Sequence, residues 1–354
     1  MMTNDKKREY IKQWYSLLLK YKNETDVSSA TVKIQNEFIR DLAYKQPQKV
    51  YRYCACSKNK INNFKNGKEW FSSAKHFNDL IDFTMNLDLE KQQEELKKDK
   101  YAVGREIARK LAKIYKQDPS KITMDMVRKC TDLYNDDLKK FIIDNTSFRD
   151  LNNEEIIKLN NDANDLLKES SDVINFAGET YINLNEMNVE KVSCLCLTDS
   201  PNNNKMWHEY AKEETGFCIE YSIPISEDNI QYRMFMFPML YGTRESISLK
   251  DFIIEGIESE ALKQKGIPEN HRFDKQIQCL FTKDISWSTE NEWRIISTIF
   301  GEQNFSFATA IYLGARINPH NAKILTNIAM AKNISVYRRQ LNATKSSIIV
   351  EKIN

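Results

Sequence analysis

Two spacings of hydrophobic residues divide the chain into helical and strand-rich parts. Near the N-terminus apolar residues recur at intervals of three or four, which predicts helix over residues 3–45. We expect residues 1–48 to form an N-terminal helical arm that packs on the core or on a second subunit. The apolar positions are Tyr10, Trp14, Leu17 and Leu18, followed by Ile34, Phe38, Ile39 and Leu42.

Strand-like segments begin near residue 50. Apolar and aromatic runs predict strands at 50–53 and 69–72, with a short helix between them that Ser57 caps and Gly67 ends. Residues 76–79 are predicted to be a loop. From 87 to 183 the sequence is polar and helical almost throughout, which indicates a large helical insertion.

Strands dominate again from residue 192, so the sheet is split in sequence around the helical insertion. This order predicts an α+β fold with a mixed or antiparallel sheet core formed by 49–86 and 184–354, and with 87–183 as the insertion. Strands are predicted at 192–197, 216–221, 235–241, 293–300, 310–314 and 334–337, and helices at about 248–265, with Ser248 as N-cap, and 319–332.

Composition narrows the class of protein. The 354 residues carry a formal net charge of +2, which argues against a nucleic-acid binder, because such proteins usually show a basic excess. The N-terminus lacks the apolar segment of a signal peptide, and no apolar run reaches the roughly 18 residues of a membrane span. We therefore expect a reduced, cytoplasmic protein that does not contact a membrane.

The seven cysteines include two Cys-x-Cys pairs, at 54/56 and 194/196. Zinc sites usually separate paired cysteines by two to four residues, and here each pair lies on a predicted strand. Buried thiols that behave as small apolar side chains are the better explanation. The four histidines are scattered along the chain, so no metal is expected.

The segment Trp287–Arg294 carries the strongest candidate for a site. Because side chains alternate along a strand, Glu290, Glu292 and Arg294 are predicted to share one face. In a cleft, such carboxylates would accept hydrogen bonds from a sugar hydroxyl or stabilise a developing positive charge. The alternative is a structural ion pair with Arg294 or with a basic residue of a neighbouring strand.

Two further segments offer binding residues. Arg52 lies between Tyr51 and Tyr53 and therefore points away from both, where its guanidinium would bind a phosphate or carboxylate or pair with one of the glutamates. Trp207 and Tyr210 share a face of a short helix and would wall a pocket by stacking, or would be buried on the sheet, an alternative that fits Trp207 better. His208 is expected at the surface.

Several common catalytic motifs are absent from the sequence. There is no phosphate-binding P-loop, no dinucleotide-binding glycine motif and no Gly-x-Ser-x-Gly elbow, and the chain has only nine glycines.

The order of motifs resembles the bacterial domain-of-unknown-function 2971 family. The resemblance covers about 50–85 and 190–340, with Asn78-Asp79-Leu80 where the family usually has Asn-Asp-Pro. It implies no activity. The matching segments are Tyr51–Tyr53, Trp70–Ser72, Phe77–Asp79, Met206–Ala211, Gly216–Tyr221, Lys283, Trp287–Arg294 and Ile311–Gly314.

The chain is also similar, in the order Arg52, Ser193 and Glu290/Glu292, to arginine–serine–glutamate ADP-ribosyltransferases. Here Cys194-Leu195-Cys196 stands where Ser-Thr-Ser is usual. This similarity implies NAD as the substrate, with Arg52 on its phosphates and Ser193 supporting the site. It further implies that Glu292 engages the ribose and stabilises an oxocarbenium-like transition state, while Glu290 orients the acceptor.

Two functions of different kinds follow as hypotheses. The first is an NAD-using ADP-ribosyltransferase or NAD glycohydrolase that acts as a toxin or phage-defence effector. The second is a non-enzymatic ligand- or protein-binding module whose helical regions contact a protein partner or a second copy of the chain. In the first, Glu290 and Glu292 are the catalytic residues, and Arg52, Ser193, Trp207, Tyr210 and Arg294 bind the substrate.

Overall fold

A computed structural model of the chain describes residues 2–21, 24–79, 82–84, 86, 88–98, 179, 182–183, 186, 190–243, 248–251, 281–342 and 347–353. The chain divides into two compact units. The first comprises Met1–Phe83, Met187–Arg244 and Phe281–Asn354, and the second comprises Thr84–Glu186 and Glu245–Leu280. Most of the predicted helical insertion over 87–183 lies outside the described residues.

The helices of the described residues begin where the sequence supplies caps. Asp26, Ser57 and Asn318 accept hydrogen bonds from backbone N–H groups of the first turn, and Gly67 ends its helix in the left-handed conformation at φ 63°. The α-helices are α1 (Asn4–Lys20), α2 (Val27–Asp41), α3 (Lys58–Asn66), α4 (Leu89–Lys98), α5 (Asn204–Glu209), α6 (Ile230–Met234) and α7 (Pro319–Ala331).

Most strands belong to one large, mostly antiparallel sheet, which together with the helices confirms the predicted α+β class. The strands are β1 (Val50–Cys54), β2 (Lys68–Ser73), β3 (Ser193–Thr198), β4 (Phe217–Tyr221), β5 (Met236–Pro238), β6 (Leu240–Tyr241), β7 (Thr282–Lys283), β8 (Glu292–Ser297), β9 (Gly301–Asn304), β10 (Ala308–Leu313), β11 (Ser335–Asn342) and β12 (Ser347–Lys352).

The sheet runs in the order β12-β11-β10-β4-β1-β3-β2-β9, and β8 pairs with both β3 and β5. Strand β8 pairs with β3 along its whole length, from Ser193↔Ser297 to Thr198↔Glu292. Because a strand has only two edges, β1 and β2 must share the other edge of β3. Strand β1 meets it at Thr198, and β2 meets it at Ser193 and Cys194. A gap in the pairing therefore opens between β1 and β2.

The predicted N-terminal arm lies against the core of the first unit. The ring of Tyr10 meets that of Trp293 edge-on at 6.2 Å, and Trp14 meets Phe237 at 4.7 Å. Tyr10 and Trp14 are buried, as their helical spacing predicts. The arm thus packs on strands β5 and β8, and β8 carries two residues of the candidate site.

The structure differs from the sequence prediction at several places in the second half of the chain. The predicted strand 235–241 breaks at Met239, whose N–H donates to the carbonyl of Glu292, so β5 pairs with β8 while β6 pairs with β7. The predicted strand 293–300 ends at Ser297 and a turn leads into β9. Strand β12 was not predicted. The helix predicted at 248–265 is described only to residue 251, where Ser248 accepts a hydrogen bond from the N–H of Asp251.

Within the described ranges, the helices are all too short or too polar to span a lipid bilayer.

Candidate functional site

A cavity of about 360 Å³ in the first unit brings several predicted residues together. Arg52, Tyr210, Glu290, Glu292 and Arg294 all line it. These residues come from strands β1 and β8, from the end of helix α5 and from the turn before β8. The cavity also includes side chains beside the gap between β1 and β2, among them Ser72, Cys194 and Cys196.

Glu290 and Glu292 do not alternate along one strand as predicted. Glu290 is the last residue of a 3-10 helix, Ile285–Glu290, and only Glu292 and Arg294 lie on β8. Asn291 takes the left-handed conformation between them, at φ 46° and ψ 48°, and turns the chain sharply into the strand. Asparagine tolerates this conformation better than most residues do. Both carboxylates nevertheless reach the same cavity.

Lys283, at the end of β7, joins the two glutamates. Its ammonium donates to Glu290 Oε2 at 2.8 Å and to Glu292 Oε2 at 3.0 Å, and its side chain is 7% exposed. Burial alone would lower the pKa of Lys283, but the negative charges of Glu292, Glu290 and Asp82 outweigh it and raise that pKa. The lysine therefore remains charged and holds the two carboxylates close together.

Arg294 fixes Glu292 from the other side. Its Nε donates to Glu292 Oε1 at 2.6 Å, and its two terminal nitrogens bind Asp82 at 2.9 and 2.5 Å. Burial raises the pKa of Glu292, but the charges of Arg294 and Lys283 overcome this effect and lower it to about 2. The sequence pattern predicted a ligand-binding role for Arg294, whereas in the structure its guanidinium nitrogens donate to Glu292 and Asp82.

Glu290 has a different set of partners. Tyr210 donates its hydroxyl to Glu290 Oε1 at 2.6 Å, and Lys283 binds Oε2. Burial, followed by the charge of Glu290, raises the pKa of Tyr210, so the phenol keeps its proton. A carboxylate has about four acceptor positions, and Glu290 uses two of them here, while Glu292 uses three with Arg294 and Lys283.

Arg52 extends from β1 to β2 across the gap. Its Nη1 donates to Glu69 Oε2 at 2.6 Å, and both terminal nitrogens lie 3.4 Å from the carbonyl of Trp70. Tyr221 donates to the other oxygen of Glu69, so that buried carboxylate is held from two sides. Sequence analysis allowed a pairing of Arg52 with Glu290 or Glu292, and the structure pairs it with Glu69 instead.

Two predicted site residues lie outside the lining of this cavity. Ser193 is buried at the opposite end of β3 from Glu292, and its hydroxyl donates to the carbonyls of Ser297 and Ile299. Trp207 is completely buried, its indole N–H donates to the carbonyl of Pro201, and Arg339 lies over its ring. Trp207 is therefore the buried sheet-packing residue that the sequence alternative described. His208 is exposed, as predicted.

Two thiols lie side by side in the lining of the cavity. The Sγ atoms of Cys194 and Cys196 lie 3.8 Å apart, and both residues line the cavity. The hydrogen bond to Cys194, together with burial, raises the pKa of Cys196 well above its usual value. Among the residues that the structure describes, no group of three or more His, Cys, Asp or Glu side chains is arranged to hold a metal ion.

Sequence reasoning assigned no role to three charged residues of the site. Lys283 was noticed only as part of the ordered motif pattern, and Asp82 and Lys60 carried no signal. Asp82 is held by contacts between distant segments: it meets Arg294 across 212 positions of sequence, and Lys283 also lies beside it. The acidic and basic residues of Trp287–Arg294, through their spacing, indicated one half of the ion-pair network. They did not indicate the partner residues Lys283 and Asp82.

Comparison with known proteins supports one of the two resemblances. A family model described as "Protein of unknown function (DUF2971)" matches residues 206–295. No curated protein and no solved structure matches the chain. The matched segment contains Tyr210, Lys283, Glu290, Glu292 and Arg294, which are five of the residues that line the cavity. Over the segment that forms this half of the site, the chain is similar to the DUF2971 family of unknown function.

Proposed function

We propose that the cavity cleaves the bond between the ribose and the nicotinamide of NAD, as an ADP-ribosyltransferase or an NAD glycohydrolase. One observation carries this proposal: Arg52, Tyr210 and Glu290, which come from three separate segments, line a single cavity. In this reaction the carbon–nitrogen bond breaks and its electron pair leaves with nicotinamide. Water or an acceptor nucleophile then bonds to the ribose carbon and loses a proton. No metal ion is needed.

Glu290 is the carboxylate that we assign to the reacting ribose. It has free acceptor positions, and the hydroxyl of Tyr210 and the ammonium of Lys283 fix its two oxygens. A fixed carboxylate stabilises the positive charge that develops on the ribose as the bond breaks, because it needs no reorganisation at that moment. This gives Glu290 the role that the sequence resemblance implied for Glu292, and Glu292 becomes the supporting carboxylate.

The size of the cavity fits part of the substrate. Ligand pockets typically measure about 300–1,000 Å³, so 360 Å³ is at the small end. In our proposal the nicotinamide and its ribose enter the cavity, and aromatic residues such as Phe77 and Trp287 contact the rings there. A role as a toxin or phage-defence effector, and a protein partner or second subunit bound through the helical regions, remain predictions.

The test is incubation of the purified protein with NAD, alone and with candidate protein acceptors, followed by chromatography of released nicotinamide. Release without an acceptor indicates glycohydrolase activity, and release with label transfer indicates a transferase. A protein that neither binds NAD in calorimetry nor releases nicotinamide under any of these conditions contradicts the proposal.

A further inference from the structure

The cavity contains a second cation beside Arg52. Lys60 lines the cavity from helix α3, and it is partly buried. Within the described part of the chain, its ammonium makes no hydrogen bond or ion pair, and only its backbone N–H is bonded, to Ser57 Oγ. Burial, followed by the charge of Arg52, lowers the pKa of Lys60. Within the described residues, the ammonium of Lys60 is therefore partly buried without an ion-paired anion.

The position of Lys60 in its helix also disfavours its positive charge. It lies in the first turn of α3, which contains no acidic residue and also carries Lys58. The helix dipole disfavours positive charge at this end. Lys58 is exposed to water, whereas Lys60 faces the cavity. An anion bound in the cavity would compensate the positive charge of Lys60 but would have little effect on that of Lys58.

In addition to Asp79, two groups of charged side chains lie around the cavity. At β8, three carboxylates (Asp82, Glu290 and Glu292) meet two cations (Lys283 and Arg294), which leaves one negative charge.

At β1 the balance is reversed. Arg52 is paired with Glu69, and Lys60 forms no ion pair with a carboxylate among the described residues, which leaves one positive charge. A ligand that matches both groups carries an anion at one end and positive charge, present or developing, at the other.

We propose that Lys60, together with Arg52, forms an anion subsite of the cavity that binds a phosphate group of the substrate. The expected ligand is a phosphate-bearing ribosyl compound whose ribose lies toward Glu290. This assignment rests on the proposed function for the identity of the substrate, but the anion subsite is testable on its own. The contacts of Arg52 with Glu69 and Trp70 use its Nη1 and Nη2 atoms. Its Nε is therefore available to share the phosphate with Lys60.

The experiment is isothermal titration calorimetry of ADP-ribose, with adenosine as the ligand that lacks phosphate. Four proteins are compared: wild type, Lys60→Met, Lys60→Arg and Lys58→Met. We expect Lys60→Met to weaken ADP-ribose binding at least about tenfold, while Lys60→Arg stays within about threefold of wild type, because the charge carries the interaction. Lys58→Met, the control on the same helix, should change binding less than about twofold because this charge is screened by water.

Equal affinity of wild type and Lys60→Met for ADP-ribose overturns the subsite, as does a wild-type protein that binds ADP-ribose no better than adenosine. Melting temperatures identify a variant that fails to fold. In that case the subsite is tested by the salt dependence of ADP-ribose binding to the wild type, because the affinity for a bound phosphate must fall as the salt concentration rises. Intact ADP-ribose binding without nicotinamide release contradicts the proposed reaction and leaves the subsite standing. Nicotinamide release with unchanged Lys60→Met affinity contradicts the subsite alone.

Discussion

The hydroxyl of Tyr210 donates to Glu290 Oε1 at 2.6 Å and so connects the end of helix α5 to the turn that precedes β8. The two residues are 80 positions apart in sequence. Through this bond the residue at the end of α5 orients the carboxylate that we assign to the reaction.

Replacement of Tyr210 by phenylalanine tests this bond. Glu290 loses a donor in a site where it is only 2% exposed, so we expect the free energy of unfolding to fall by about 1–3 kcal/mol. Nicotinamide release should fall as well, because the carboxylate is less firmly oriented. Urea denaturation measures the first effect. Tyr44→Phe is the control, since Tyr44 is 74% exposed, and it should leave both quantities nearly unchanged.

Replacement of Lys283 by methionine tests the network itself. The change leaves the buried carboxylates of Glu290 and Glu292 without a shared cation, and loss of one member of a buried ion pair typically costs about 3–5 kcal/mol. The loss should be smaller in mild acid, because without the charge of Lys283 the pKa of Glu292 rises and that carboxylate takes up a proton there. Urea denaturation at neutral and acidic pH measures both. Lys205→Met is the control, because Lys205 contacts the same Trp287 ring but is 36% exposed. A similar loss in both variants would contradict the account.

Glu292 should contribute to the pH dependence of stability. Its pKa is lowered from 4.5 to about 2 in the folded protein, so its ionised form stabilises the fold above about pH 4.5. This contribution decreases as the pH falls below 4.5 and is gone below about 2. We expect the stability difference between wild type and Glu292→Gln to narrow over that window in urea denaturation. A difference that stays constant from neutral pH down to about pH 3 would show that the charge of Glu292 is not what stabilises the fold.

The backbone that supports the site is closely packed around Gly216. A Cβ at this position would lie 2.1 Å from the carbonyl oxygen of Cys54 and 2.9 Å from that of Ala211. Gly216→Ala should therefore push β1 away from the segment after α5 and destabilise the protein by about 1–3 kcal/mol or more. Gly242→Ala is the matched control, because nothing lies within 4 Å of its Cβ position. Thermal unfolding of both variants measures this effect. Equal melting temperatures would contradict the predicted destabilisation by Gly216→Ala.

Local sequence signals predicted the elements of the fold well wherever they were strong. Ser57 and Gly67 defined both ends of α3, and the N-terminal periodicity identified Tyr10 and Trp14 as buried. The signals failed where pairing between distant strands sets the geometry. Nothing local shows that β1 and β2 share one edge of β3, or that Asn291 turns the chain between Glu290 and Glu292.

The candidate site was predictable in its location and less so in its roles. The strand position of Arg52 and the carboxylates near Arg294 led to residues that line one cavity. Ser193 and Trp207 do not line it. The order of residue types in a sequence does not show which end of a strand, for Ser193, or which face of a helix, for Trp207, borders a cavity. The partners Asp82 and Glu69 become visible only when the chain is folded.

The most direct test of the central claim compares nicotinamide release from NAD by wild type, Glu290→Gln and Glu209→Gln, with melting temperatures measured in parallel. Glu209 is a partly exposed carboxylate on α5 and serves as the control. We predict that wild type and Glu209→Gln release nicotinamide at similar rates and that Glu290→Gln is slower by at least about a hundredfold while it remains folded. Equal rates for wild type and folded Glu290→Gln, or no release by wild type, would contradict the claim.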